Sequence, residues 1–136
     1  MSQIALPFSQ PSAREPASIV VGSANRAIAD AMAAANDWPF RTAVLAGPAR
    51  SGKSLLARWF ASHTGGGAID DADTRDETEI FHAWNRAQED GYPLLLTVGT
   101  QGWEIELPDL RSRMGAALQL EIGGTITAIP AADVFF

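Results

Sequence analysis

Between a short apolar run and an amphipathic segment lies GPARSGKS, Gly47 to Ser54, which matches the phosphate-loop pattern G-x-x-x-x-G-K-[ST]. Each position has a chemical purpose. Glycines let the backbone turn its N–H groups inward, and the start of a helix adds positive potential for a phosphate. Lys53 reaches the β- and γ-phosphates of a nucleotide, and the Ser54 hydroxyl faces Mg²⁺. The candidate cofactors are therefore ATP or ADP with Mg²⁺. The candidate contacts are Gly47, Pro48, Ala49, Arg50, Ser51, Gly52, Lys53 and Ser54, with Leu55 following on the helix. Lys53 is the only lysine of the chain, which sets this match apart from a chance glycine-rich turn.

A phosphate loop needs an acid on the metal side, at the end of a neighbouring strand. IDDAD, Ile69 to Asp73, places Asp70 seventeen positions on from Lys53 and offers two. Asp70 is the candidate metal-side carboxylate. Asp71 stands where a water-activating acid is expected, with a shorter reach than glutamate. Without a phosphate loop beside it, DDAD would read as a solvated acidic turn. His63 and His82 are isolated in the sequence and read as surface or helix-face residues.

The elements that must position these groups follow from periodicity. Thr42 to Ala46 and PLLLTVG (Pro93 to Gly99) are apolar runs of the buried parallel-strand type. Ala68 and Ile69 begin a very short strand, and AALQLEIG contributes a last one. Helical faces run over Asn25 to Ala35 with Ser23 as cap, Gly52 to Ser62, and Asp76 to Asp90, and PDLRSRM forms a short helical turn. Pro39 disfavours helix at Trp38, and glycines 65–67 stop the second helix. Alternating strands and helices predict an α/β protein of the P-loop NTPase class. Its architecture is three-layer αβα with a small, mostly parallel sheet of four to five strands. Residues 1–17 read as a tail, 18–123 as the nucleotide-binding core, and 124–136 as irregular or as one extra edge strand.

Composition narrows the function classes. The 136 residues contain 46% hydrophobic residues, no cysteine and a formal charge of −6, enough for one well-cored domain. Disulfides and zinc–thiolate sites are excluded, which suits a reducing cytoplasm, the expected location. The acidic balance argues against direct, nonspecific DNA binding. No stretch has the run of about 20 apolar residues of a membrane span, and no secretory signal is evident.

Several segments together resemble the DnaA-related AAA+ proteins, specifically the short Hda type that inactivates the replication initiator. VVGSANRAI (Val20 to Ile28) is similar to the segment that family places near the adenine, which implies contacts from Val21 and Asn25. GPARSGKS and IDDAD resemble its two nucleotide motifs, and LLLTVGT (Leu94 to Thr100) stands at sensor 1. LPDLRSRM resembles its arginine-finger box, which puts Arg113 in the finger position. QIALPF resembles the family's N-terminal peptide for the polymerase sliding clamp, implying that Gln3, Ile4, Leu6, Pro7 and Phe8 bind the clamp. The function implied is regulatory: the clamp-bound protein inserts Arg113 into DnaA, whose own site hydrolyses its ATP. DNA is contacted only through the clamp.

The sequence departs from this pattern in three places. The spacing from Lys53 to Asp70 omits a strand and a helix that AAA+ domains normally carry there. Val98–Gly99 occupies the expected sensor 1 polar position, leaving Thr97 or Thr100. Residues 124–136 do not resemble the helical lid. An exposed last strand is also a candidate for pairing with a second copy. Two other readings compete: a stand-alone small P-loop NTPase or kinase, and an adaptor that acts without nucleotide.

Overall fold

The computed structural model describes residues 3–7, 18–22, 26–123 and 127–129. The described residues form strands β1 (Gln3–Pro7), β2 (Ser18–Gly22), β3 (Thr42–Ala46), β4 (Gly67–Ile69), β5 (Leu94–Val98), β6 (Leu118–Glu121) and β7 (Thr127–Ile129). Helices α1 (Arg26–Ala33), α2 (Lys53–His63), α3 (Glu77–Asp90) and α4 (Pro108–Ala116) are interleaved with them.

The central sheet has the order β4-β5-β3-β6, and every pairing in it is parallel. β5 is buried along its whole length, which explains why LLLTV reads as an unbroken apolar run rather than an alternation. Strand alternation still sorts the side chains between two layers. Ala43, Leu45 and Leu95 pack with Ile28, Met32, Leu56, Trp59 and Phe60 of α1 and α2. Val44, Leu94, Leu96 and Val98 pack with Ile80, Trp84, Leu110 and Met114 of α3 and α4. The result is a three-layer αβα sandwich with four parallel strands, as the periodicity predicts.

Two packing details tie the layers to the sheet. The Trp84 indole N–H donates to the Thr42 hydroxyl at 3.0 Å, pinning α3 to the start of β3. α2 ends at Thr64, and a Cβ at Gly66 would lie 2.5 Å from Phe60 Cε2 and 2.7 Å from the Pro93 carbonyl. The chain passes there only because that residue has no side chain. α3 starts on Asp76, whose carboxylate accepts the Thr78 N–H at 2.7 Å.

Three expectations need revision. Gln3–Pro7 is not a free tail: it pairs antiparallel with Ser18–Gly22, from Gln3 opposite Gly22 to Pro7 opposite Ser18. Thr127–Ile129 pairs with β2, so a three-stranded antiparallel sheet β1-β2-β7 stands beside the parallel one. The edge-strand alternative therefore holds for those three residues. The first helix, described over Arg26–Ala33, stops short of Ala35 and is followed by a 3-10 turn at Ala35–Asp37. Ser23, its expected cap, lies outside the described residues. No described helix is long and apolar enough to cross a membrane.

Candidate functional site

β3 and β4 end on the same side of the sheet, with β5 between them, and the chemistry-bearing residues gather at these strand tips. Beyond β3 the chain turns through Gly47–Gly52 into α2. Gly47 hangs from the neighbouring strand by its N–H to the Val98 carbonyl, 3.2 Å. A Cβ on Gly47 would fall 2.9 Å from Ser51 Oγ and 3.1 Å from Ile122 Cδ1, so the loop closes tightly on itself. Arg50 (φ 64°) and Gly52 (φ 95°) both take left-handed backbone conformations. Two such residues within three positions fold the loop back before the helix begins.

Lys53 is 7% exposed, yet it lines an open cleft of about 330 Å³ with Gly47, Pro48, Ala49, Asp71 and Asp73. Its ammonium donates to the Gly47 carbonyl at 2.6 Å. An ammonium has three donors. A buried cation with one neutral acceptor is costly unless an anion joins it. Ser51 Oγ, also buried, has no hydrogen-bond partner. Of the two, Lys53 lines the cleft and fits a phosphate there, whereas Ser51 is not among the cleft-lining residues.

The two residues expected on the metal side do meet. Ser54 Oγ donates to Asp70 Oδ2 at 2.7 Å, across sixteen residues of chain. Asp70 Oδ1 accepts the Thr97 hydroxyl at 2.5 Å, and Thr97 Oγ1 accepts the Asp71 N–H at 2.9 Å. Asp71 itself is left-handed (φ 51°) and exposed, with the cleft beside it. Arg75 closes the turn through its Nε to the Asp70 carbonyl, 2.7 Å. Among the described residues no three His, Cys, Asp or Glu side chains converge as a metal site. The oxygens of Ser54 and Asp70 suit a hard ion such as Mg²⁺, which takes its remaining ligands from phosphate and water.

The sequence-predicted residues divide clearly. Gly47, Pro48, Ala49, Lys53 and Asp71 line the cleft, and Ser54 and Asp70 meet beside it. Leu55 turns its side chain to the α1–α2 core, so any contact with a ligand comes from its backbone. Val21 lies in β2, whereas Asn25 and Phe8 are outside the described residues. Gln3, Ile4, Leu6 and Pro7 are strand residues of β1. The Arg113 guanidinium carbon stands 5.1 Å from the centroid of the Trp84 ring. Its Nε is buried without a partner, so Arg113 packs against its own chain here rather than pairing with Asp109. Neither histidine lines the cleft: His63 stacks on Trp59, and His82 is exposed on α3.

Asp73 was not singled out from the sequence, and Thr97 and Thr100 were named there only as the residues left for the sensor 1 position. Asp73 accepts the Gly99 N–H at 3.0 Å, Thr97 holds Asp70, and Thr100 borders the cleft. Strand parity shows which face Thr97 takes: Leu95 faces the α2 side, so Thr97 does too, while Val98 faces α3 and α4. A second cavity of about 380 Å³ shares Gly99 and Thr100 with the cleft and is lined by Trp103, Arg111, Gln119 and Glu121 over an apolar floor. No protein-family model and no curated protein matches this chain.

Proposed function

We propose that this chain is a P-loop nucleotide-binding module that holds ATP or ADP with Mg²⁺ at the tips of β3 and β4. The observation that carries the reading is the buried Lys53 ammonium, supplied with a single carbonyl and facing a cleft beside the Ser54–Asp70 pair. Lys53 and the loop N–H groups bind and orient the phosphates; Ser54 and Asp70 hold the ion; Asp71 lies beside them to orient a water. Bound Mg²⁺ would supply charge neutralisation at the phosphate oxygens. Binding of a fluorescent ATP analogue, with and without Mg²⁺, tests this directly. Wild-type binding that Lys53→Ala weakens at least about tenfold supports the reading, and an absence of binding by folded wild-type protein removes it.

The fuller proposal is the regulatory one. The resemblance of LPDLRSRM and QIALPF to the Hda type supports a module that docks on the sliding clamp and presents Arg113 to DnaA-bound ATP. In that role Arg113 must leave Trp84, and β1 must either release from β2 or be read as a strand by the clamp. The decisive assay is hydrolysis of DnaA-bound ATP with DNA-loaded clamp, comparing wild type, Arg113→Ala and a chain lacking Gln3 to Phe8. Acceleration by wild type alone supports the proposal; equal acceleration by Arg113→Ala rejects the finger.

The second cavity favours one alternative, a stand-alone NTPase or kinase whose second substrate lies past Gly99 and Thr100. Steady ATP turnover by the protein alone, raised by an added small-molecule acceptor, would favour it.

A further inference from the structure

We infer that Thr97 is the positioning residue for the metal-side carboxylate, a role that rests on the nucleotide-binding reading above. The Thr97 hydroxyl has one proton and is fully buried at the tip of β5. It accepts the Asp71 N–H at 2.9 Å with one of its lone pairs and gives its proton to Asp70 Oδ1, 2.5 Å away, since a carboxylate can only accept. Ser54 donates to the other oxygen, Oδ2. The two hydroxyls therefore hold the Asp70 carboxylate between them. The same Thr97 oxygen ties down the left-handed backbone of Asp71, so one side chain sets both acids of the IDDAD turn.

The position is dictated by the sheet. β4 and β5 run parallel with Ile69 opposite Leu96, so the next step brings Asp70 level with Thr97. Val98 belongs to the α3–α4 layer, and Gly99 has no side chain. A polar group at residue 98 would sit on the wrong face of β5 to reach Asp70. Among the described residues of β5, Thr97 alone combines a hydroxyl with the correct face. Its partner is a carboxylate, which makes it a group that aims Asp70 rather than one that touches nucleotide. Hydrogen bonds to charged groups are among the stronger ones in proteins, and an isosteric methyl in place of the hydroxyl would leave a half-buried carboxylate oxygen and an N–H without this partner.

The test uses the whole chain with Thr97→Val and Thr97→Ser. Two readouts separate positioning from mere folding. The first, independent of any ligand, is hydrogen exchange of the Asp71 amide together with the Asp70 carboxyl ¹³C resonance. Thr97→Val should speed exchange at Asp71 and shift the Asp70 signal, and Thr97→Ser should restore both. The second is the gain in affinity that Mg²⁺ confers on a fluorescent ATP analogue. Thr97→Val should reduce that gain about tenfold or more, leaving binding in EDTA unchanged, since Lys53 and the loop are untouched. Should Thr97→Val not fold, Thr97→Ala carries the same two readouts. An Asp71 amide and an Asp70 signal unmoved in a folded variant overturn the inference, as does an unchanged Mg²⁺ gain. If wild type binds no nucleotide, the nucleotide reading fails by itself, and the ligand-independent readout still decides whether Thr97 sets Asp70.

Discussion

Arg113 and Trp84 stack with the guanidinium carbon 5.1 Å from the ring centroid, while the indole N–H of the same tryptophan reaches the Thr42 hydroxyl at 3.0 Å. One aromatic ring thus links α4, α3 and the first residue of β3. A residue proposed to act on a neighbouring protein is, in this conformation, part of the packing of its own.

That linkage sets the expectation for Arg113→Ala. A partly exposed cation–π contact is worth about 0.5–1 kcal/mol, so urea denaturation should show a loss no larger than about 1 kcal/mol. Binding of nucleotide to the chain itself should be unchanged. A large destabilisation would assign Arg113 to the core and argue against its release toward a partner.

Trp84 should be far less tolerant. Trp84→Ala opens a cavity between α3 and the sheet and should cost about 3–5 kcal/mol. Trp84→Phe keeps much of the ring but loses the Thr42 bond, costing at least about 1 kcal/mol. Chemical denaturation of both variants checks the order; equal costs would mean that the Thr42 bond is the whole contribution.

Lys53→Ala should weaken nucleotide binding by about tenfold to a hundredfold, the value of a charge-assisted hydrogen bond to phosphate. Removing a buried cation that has one neutral acceptor should leave stability unchanged or raise it. Calorimetric titration and a melting curve on the same sample measure both. A sharp fall in Tm without ligand would show that Lys53 is structural.

Saturating Mg²⁺ and ATP should raise Tm by about 5 °C or more at a hundredfold excess over Kd. Asp70→Ala should remove the Mg²⁺-dependent part of that rise and keep the rest. A thermal shift insensitive to Mg²⁺ in wild type would count against the Ser54–Asp70 pair as the ion's place.

Gly66→Ala should destabilise the fold by about 1–3 kcal/mol, because the new methyl meets the Pro93 carbonyl as well as the flexible edge of Phe60. Gly65→Ala next to it meets no atom within 4 Å but occupies a left-handed position (φ +74°), and it reports the backbone cost alone. Comparing the two by denaturation separates contact from conformation.

Much of this arrangement was legible before the fold was known, for local reasons. Helix α3 shows in the spacing of Ile80, Trp84 and Ala87, and its start in Asp76; both are short-range features. The Gly47–Ser54 pattern is legible because the glycines and Lys53 of the proposed phosphate loop are close together in sequence. β1 was not: QIALP has no sustained periodicity to mark it, and its pairing with Ser18–Gly22 joins residues eleven to nineteen positions apart.

By itself, the sequence determined the residue types, the short elements and the loop that brings Lys53 to the start of α2, because backbone preference and periodicity act over a few residues. The tertiary structure alone decided which groups meet. Strand order placed β5 between β3 and β4, so that Thr97 faces Asp70. α2, rising from the loop, brought Ser54 to the other oxygen of that carboxylate. The layer of α3 and α4 turned Arg113 onto Trp84. Contacts of this kind join residues sixteen to twenty-nine positions apart, and their pairing depends on sheet register and layer packing, which no local stretch of chain encodes.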